Sequence, residues 1–307
     1  MSSEKNKATK PTVQTTGHAW DGDIQEFNNP LPTWWLWTFY ATVIFAIVYW
    51  VLYPAWPVGS DYTKGVMNEI TYTTSDGKTK TTHWNTRSLF EKEMQDGRAH
   101  QEKYLKDINA STFEQIASNE EKSAFAYSMA KVLFADNCAA CHQTGGDGVI
   151  GFYPNLLDDA WLWGGSFNKI QESIAKGRNG SMPGFKKRLT EKQTSDVADY
   201  VLSLSGEAVD ASAAKRGKSV FTTTGGCVAC HGNDAKGKSS MGSANLSDKI
   251  WTIADVNGAE TVDAKRSAVV DIVKNGKTRQ MPAWEERLSA TEIKMLTFYV
   301  KQLSASK

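Results

Sequence analysis

The chain has little cysteine, 4 residues in 307. That excludes a disulfide framework of the kind that staples small secreted folds. It also lacks an excess of charge of either sign. Lysine and arginine number 35 against 34 aspartates and glutamates, a formal net charge of +1, so the composition favours no nucleic-acid partner. One stretch lacks charge altogether: no Asp, Glu, Lys or Arg occurs between Phe27 and Ser60. What remains, in a chain of 307 residues, is long enough for about two domains.

The charge-free stretch contains "LPTWWLWTFYATVIFAIVYWVLYPAW", residues 31–56. About 20 apolar residues rising about 1.5 Å each cross a bilayer core of about 30 Å. Trp34, Trp35 and Trp37 crowd one end and Trp50, Tyr53 and Trp56 the other, as interfacial belts do. A buried core helix of this length would carry some polar face. A secretory signal would begin nearer the terminus and end in a small-residue cleavage site. The segment therefore reads as one retained transmembrane helix, in contact with membrane lipid. Lys5, Lys7 and Lys10 precede it, which places residues 1–30 in the cytoplasm by the positive-inside rule. Those residues read as polar and flexible, and everything after about residue 57 reads as periplasmic.

The cysteines come in two pairs. Residues 135–146 read "ADNCAACHQTGG" and residues 225–232 read "GGCVACHG". Each pair is C-x-x-C followed at once by histidine: Cys138, Cys141, His142 and Cys227, Cys230, His231. A shared zinc would use four thiolates and leave both histidines unexplained. A thioredoxin-like redox pair needs a βαβ setting that neither copy has. Covalent haem attachment uses every part: two thiols become thioethers and the histidine becomes the proximal iron ligand. The pattern predicts two covalently bound haem c groups, and such assembly in bacteria takes place outside the cytoplasmic membrane.

Both motifs sit in an internal repeat. "AKVLFADNCAACH" resembles "GKSVFTTTGGCVACH", "AKGRNGSMPGF" resembles "VKNGKTRQMPAW", and "SDVADYVLSLS" resembles "IKMLTFYVKQLS". Trp251 trails Trp161 by 90 positions and Met281 trails Met182 by 99, so the second copy carries an insertion, read as "NGAETVDAKRS". In each copy a helix with Phe134 or Phe221 leads into the motif, and a helix with Tyr200 or Tyr299 closes the fold. Their helical spacing reads as core. A small helical domain has little core of its own, and the haem supplies the missing apolar mass. The division is 1–30 cytoplasmic segment, 31–56 transmembrane helix, 57–121 spacer, 122–206 and 207–307 haem domains, an all-α design. Within the spacer, β-branched residues flanking Ser75-Asp76-Gly77-Lys78 predict a β-hairpin, and residues 88–121 predict a charged helix.

An iron with a proximal histidine has a second face. A methionine there closes it and suits electron transfer. Of the eight methionines, Met182 and Met281 occupy matching places, each followed by proline and each five residues after a glycine, Gly177 or Gly276. They are the predicted axial ligands, each assumed to serve the haem of its own copy. Met1, Met67 and Met94 lie outside the repeat, Met129 and Met295 fall on the flanking helices, and Met241 is only ten residues past His231; His18, His83 and His100 match nothing between the copies. The Pro154 carbonyl, and that of Ala244 in the second copy, stand where they could hold the other ring nitrogen of the histidine. Arg178 reads equally as a propionate partner or as a solvated surface residue.

The N-terminal stretch "TTGHAWDGDIQEFNNPLPTWWLWTFYATVIFAIVYWVLYP", with the tandem motifs, "MPGF" and "MPAW", resembles the CcoP (FixP) subunits of cbb(3)-type cytochrome c oxidase. The likeness covers nearly the whole chain. It departs from the family in having Gln143 where glycine usually follows the first haem histidine, and in the sequence after the anchor. The resemblance implies tandem class I cytochrome c domains in the bacterial inner membrane. It implies an electron-transfer role in the respiratory chain: electrons come from a periplasmic cytochrome c donor. They pass toward a monohaem cytochrome c subunit and the catalytic haem–copper subunit, which reduces dioxygen and moves protons. This chain would then be a non-catalytic subunit of an oxidoreductase, and no base–nucleophile pair contradicts that. The alternative is a membrane-anchored dihaem cytochrome c serving another redox enzyme. A haem-based sensor or peroxidase needs an open iron face, against which the paired methionines count.

Overall fold

The computed structural model describes residues 13–66, 69–74 and 76–305. Lys5, Lys7, Lys10, Met1, Met67 and Ser75 lie outside them. Two compact units make up the chain, Met1–His100 and Gln101–Lys307.

The first unit opens with an antiparallel hairpin, β1 (Thr15–Trp20) and β2 (Ile24–Phe27). This corrects the reading of residues 1–30 as flexible over the part described. The turn is Asp21-Gly22, both at positive φ (49° and 90°), an Asp-Gly signal that makes a hairpin. Helix α1 (Thr33–Leu52) follows Pro32 and ends before Tyr53, which is extended. It has 20 residues, none of them buried, so its length of about 30 Å matches a bilayer core. The span is shorter than residues 31–56 because Pro32 starts the helix and Pro54 cannot continue it. Next come two short antiparallel pairs. The first is β3 (Pro57–Val58) with β4 (Asp61–Tyr62), and the second β5 (Glu69–Thr73) with β6 (Thr79–His83). The second is the hairpin that the Asp-Gly pair predicts, with Gly77 at φ 78°. The charged helix is α2 (Thr86–Ala110).

In the second unit the order is α3 (Phe113–Ser118), α4 (Glu120–Asn137), α5 (Ala139–His142), α6 (Phe167–Lys176), β7 (Arg178–Met182) and α7 (Glu191–Leu204). Then come α8 (Ala211–Thr222), α9 (Val228–His231), α10 (Val262–Asn275), β8 (Lys277–Met281) and α11 (Ala290–Ala305). The repeat is visible, but its halves are crossed. One core joins Phe134 of α4 and Ile170 and Ile174 of α6 to Leu296, Phe298 and Tyr299 of α11. The other joins Val269 and Val273 of α10 to Val197, Val201 and Leu202 of α7. Phe134 packs on Tyr299 at 5.4 Å between ring centroids, and Phe221 on Tyr200 at 5.3 Å. These aromatics are core, as their spacing predicts, yet the first copy closes with the second copy's helix.

Chain connectivity explains the crossing. Residues 205–210 link α7 to α8 directly, so the two fold back as a helical hairpin. The crossing is tight: a Cβ on Gly217 would collide with the carbonyl of Asp196. Arg216 grips Asp196 through two bonds, 2.8 and 3.0 Å. With α7 held by the helix after it, the slot beside α4 falls to α11. The insertion contributes too. Helix α10 has 14 residues against 10 in α6, and just past its added first turn Arg266 bonds the buried Asp199 at 2.7 Å. Strands β7 and β8 tie the copies together, pairing Arg178 with Met281, Gly180 with Arg279 and Met182 with Lys277.

Candidate haem-binding sites

Each C-x-x-C-H forms a single helical turn. His142 N–H donates to the Cys138 carbonyl at 2.9 Å, and His231 N–H to that of Cys227 at 2.9 Å. Offsets of three and four residues bring both thiols and the imidazole to one side of the turn. The chain then swings back. His142 Nδ1 lies 3.0 Å from the Pro154 carbonyl, and His231 Nδ1 lies 2.9 Å from that of Ala244. A carbonyl only accepts, so Nδ1 carries the proton and Nε2 keeps its lone pair. Burial pushes both imidazole pKa values down, with the carbonyl bonds partly opposing it. Both rings are therefore neutral donors.

The thiols do not resemble those of a redox pair. Burial, with Cys141 adding to it, pushes the Cys138 thiol up to about 11, and burial raises Cys227 as well. Reactive redox cysteines are shifted the other way. Nor do the pairs meet around a zinc. They sit against different clusters of side chains, and no group of three or more His, Cys, Asp or Glu that could hold a metal occurs among the described residues.

Gln143 has φ 66° and ψ 160°, and Gly232 at the matched place has φ 80° and ψ 164°. This is backbone that glycine adopts freely and other residues rarely do. The departure at Gln143 thus sits where the chain leaves the haem histidine under strain.

The methionines follow the crossing. Met281 packs with Cys138, Leu156, Trp161 and Trp284 against the core containing α4 and α6. Met182 packs with Leu246, Trp251 and Phe185 against the core containing α10. Backbone bonds seat both loops. Trp284 N–H donates to the Ala175 carbonyl at 3.0 Å, and Phe185 N–H to that of Val273 at 2.9 Å. The two glycines noted before the methionines now have a use. A Cβ on Gly177 would strike the Met281–Pro282 peptide and the Ala283 nitrogen, and one on Gly276 the Met182–Pro183 peptide and the Gly184 nitrogen. Each glycine is a notch for the other copy's Met-Pro. The assumption that each methionine stays with its own copy does not match this packing, because its strand and terminal helix cross with it.

The residues present fit a c-type haem. Two thiols and a neutral imidazole lone pair share one turn. A thioether comes from the crossing strand, and aromatic and aliphatic side chains surround them. Arg178 is engaged by the protein, with Ser173 Oγ at 2.9 Å, Glu172 at 3.1 Å and the Trp163 ring at 4.9 Å. Arg279, which the sequence reading passed over, is engaged at one nitrogen only, Nη2, which donates to the Thr252 carbonyl. Its Nε and Nη1 are buried without a hydrogen-bond partner. The available signal was the repeat itself, which puts Arg279 where the first copy has Gly180.

Comparison with known proteins agrees with this reading. Residues 12–60 match the family described as the N-terminal domain of cytochrome oxidase-cbb3, FixP. Residues 126–201 and 212–300 each match cytochrome c oxidase, cbb3-type, subunit III. Over 302 residues the chain is 43% identical to the cbb3-type cytochrome c oxidase subunit FixP of Azorhizobium caulinodans, covering 95% of this chain and 94% of that one. It is 37% identical over 317 residues to subunit CcoP of Azospirillum brasilense, covering 99% of both. It is 39% identical over 311 residues to subunit FixP of a Bradyrhizobium species, covering 95% of both. The apolar helix, the doubled cytochrome c match and relatives alike over their full length together show that the chain belongs to the FixP/CcoP subunit family of cbb3-type cytochrome c oxidases.

Proposed function

We propose that this subunit binds two haem c groups and carries electrons toward the oxygen-reducing part of a cbb3-type oxidase. One haem is held by Cys138, Cys141, His142 and Met281. The other is held by Cys227, Cys230, His231 and Met182. The observation that carries this reading is the reciprocal notch, with Met281-Pro282 over Gly177 and Met182-Pro183 over Gly276. It supports a thioether reaching each site from the opposite copy.

When bound, each haem supplies a one-electron ferric–ferrous couple. The chain's own residues do the rest. The Pro154 and Ala244 carbonyls orient the imidazoles and fix the tautomer. Met182 and Met281 would each supply a thioether to hold the iron, which would favour the ferrous state. Trp161 and Trp284 pack with Met281, and Trp251 and Phe185 with Met182. The electron donor is a periplasmic cytochrome c, and the acceptors are the monohaem and catalytic haem–copper subunits. Helix α1 anchors the chain in the bacterial inner membrane with the N-terminus in the cytoplasm and the haem domains in the periplasm.

Mass spectrometry of the purified chain, with in-gel haem staining, tests the content: the expected excess over the polypeptide is two haems, and one or none refutes it. The oxidised protein should show the near-infrared methionine–iron band for both haems. A periplasm-active reporter fused after Lys307 should work, and activity of a cytoplasm-only reporter there would reverse the orientation.

A further inference from the structure

Strand β8 places Lys277, Arg279 and Met281 on one face, and β7 places Arg178, Gly180 and Met182 on the same side of the two-stranded sheet. That face carries both candidate axial methionines. Arg279 lies between them, opposite Gly180, which offers no side chain against it. One guanidinium nitrogen, Nη2, donates to the Thr252 carbonyl. Thr252 follows Trp251, which packs with Met182 in the second core. The other two nitrogens, Nε and Nη1, are buried and unpartnered. A buried cation without an anion is costly, and no carboxylate among the described residues pairs with it. The remaining basic groups on this face are occupied: Arg178 by Glu172 and Ser173, and Lys277 against the Phe152 ring at 5.0 Å. The copies are unequal at this one point, because the matched residue is glycine.

We propose that Arg279 is a positioning and tuning residue for the haem of Cys227, Cys230 and His231. Its guanidinium answers the negative charge of that haem's propionate groups and raises its reduction potential above that of the other haem. The proposal rests on the dihaem reading above. The physical reason is a charge balance: ferric iron with its porphyrin carries one more positive charge than ferrous iron. A fixed cation nearby in a low-dielectric setting therefore disfavours the oxidised state. Removing that cation should shift the equilibrium toward ferric.

The test is a spectroelectrochemical titration of the full chain in mild detergent, wild type beside Arg279→Gln and Arg279→Lys. Pyridine haemochrome is measured first. Fewer than two haems in the wild type refutes the dihaem reading itself and is read separately. With two haems present, Arg279→Gln should lower one midpoint potential by about 59 mV, a tenfold shift of a one-electron couple. Arg279→Lys should keep most of the wild-type value. The shifted haem should be the one whose spectrum changes in Met182→Ala. If Arg279→Gln does not assemble, Arg279→Lys decides alone, because a shorter point charge without the planar fork must still lower that potential in part. Unchanged potentials, or a shift confined to the other haem, overturn the proposal.

Discussion

Replacing Gly276 by alanine separates a crossed dihaem fold from two self-contained ones. Gly276 sits at φ 72° and ψ −178°, a region open essentially to glycine and costing other residues about 1–3 kcal/mol. The new methyl would lie 2.6 Å from the Gly184 nitrogen and 2.7 Å from the Pro183 carbonyl carbon, and closer still to the Met182 carbonyl oxygen. Ordinary contact begins at 3.4 Å. All three atoms are backbone, so no side chain can rotate away, and the Met182–Pro183 peptide must retreat. Overpacking of this kind costs about 1–3 kcal/mol. The combined loss should be about 2–6 kcal/mol, concentrated on the loop that carries Met182.

The assay is the near-infrared methionine–iron band and carbon monoxide binding to the reduced chain. In a crossed fold, Gly276→Ala weakens the band of the same haem that Met182→Ala opens, and leaves the other intact. In a self-closing fold, Gly276 would act on Met281, five residues along its own strand, and the pattern would match Met281→Ala. That outcome, or no spectral change, would refute the reasoning. Gly180→Ala is the control. It also lies on the paired strands, yet a Cβ there meets nothing within 4 Å, so both bands should survive.

Gln143→Gly should stabilise the chain by about 1 kcal/mol in guanidinium unfolding, because the relief at a positive φ exceeds the chain-entropy cost of glycine; a loss of stability would count against strain there. Asp196→Asn tests the α7–α8 clasp by pH. Bonding to Arg216 holds the Asp196 carboxyl below its ordinary range, against the opposing effect of burial. A lowered folded pKa contributes stability above the unfolded value of about 3.9, and that contribution is lost as pH falls through the folded value. The gap in thermal midpoint between wild type and Asp196→Asn should therefore be full at pH 7 and shrink below about pH 4; a constant gap would show that the charge is not what holds the helices.

The two C-x-x-C-H motifs were legible because covalent attachment demands a fixed local pattern, and three residues of two types within five positions suffice to show it. The span was legible because lipid forbids charge over its whole length. The β5–β6 hairpin was readable for the same local reason, an Asp-Gly turn between β-branched runs. The same signal at Asp21-Gly22 was passed over because polar strands with both faces exposed lack hydrophobic alternation. The crossing was not legible at all. Both terminal helices are amphipathic and nearly interchangeable in pattern, so periodicity cannot say which of two similar slots each one fills. The deciding features are particular: Gly217 under the Asp196 carbonyl, Arg216 and Arg266 on two buried aspartates of α7. Arg279 escaped notice because it matches a glycine, and a comparison of repeats draws the eye to what recurs.

Crossing changes what the two sites have in common. If each repeat closed on itself, residues 122–206 would contain a whole site and could be cut free with it. As the chain folds, that piece keeps His142 but loses Met281 and α11. It also keeps Met182, which packs against the core that contains α10. The first site must wait for α11, since Phe134 meets Tyr299 across a long loop whose closure costs entropy before it gains contacts. The second site also draws on distant segments, since α7 packs on α10. Once closed, the two thioethers ride on one pair of hydrogen-bonded strands, offset by four residues in register. At about 3.4 Å per residue that sets the methionine backbones about 14 Å apart. Strand pairing, and not a flexible linker, thus sets the spacing of the two methionine backbones.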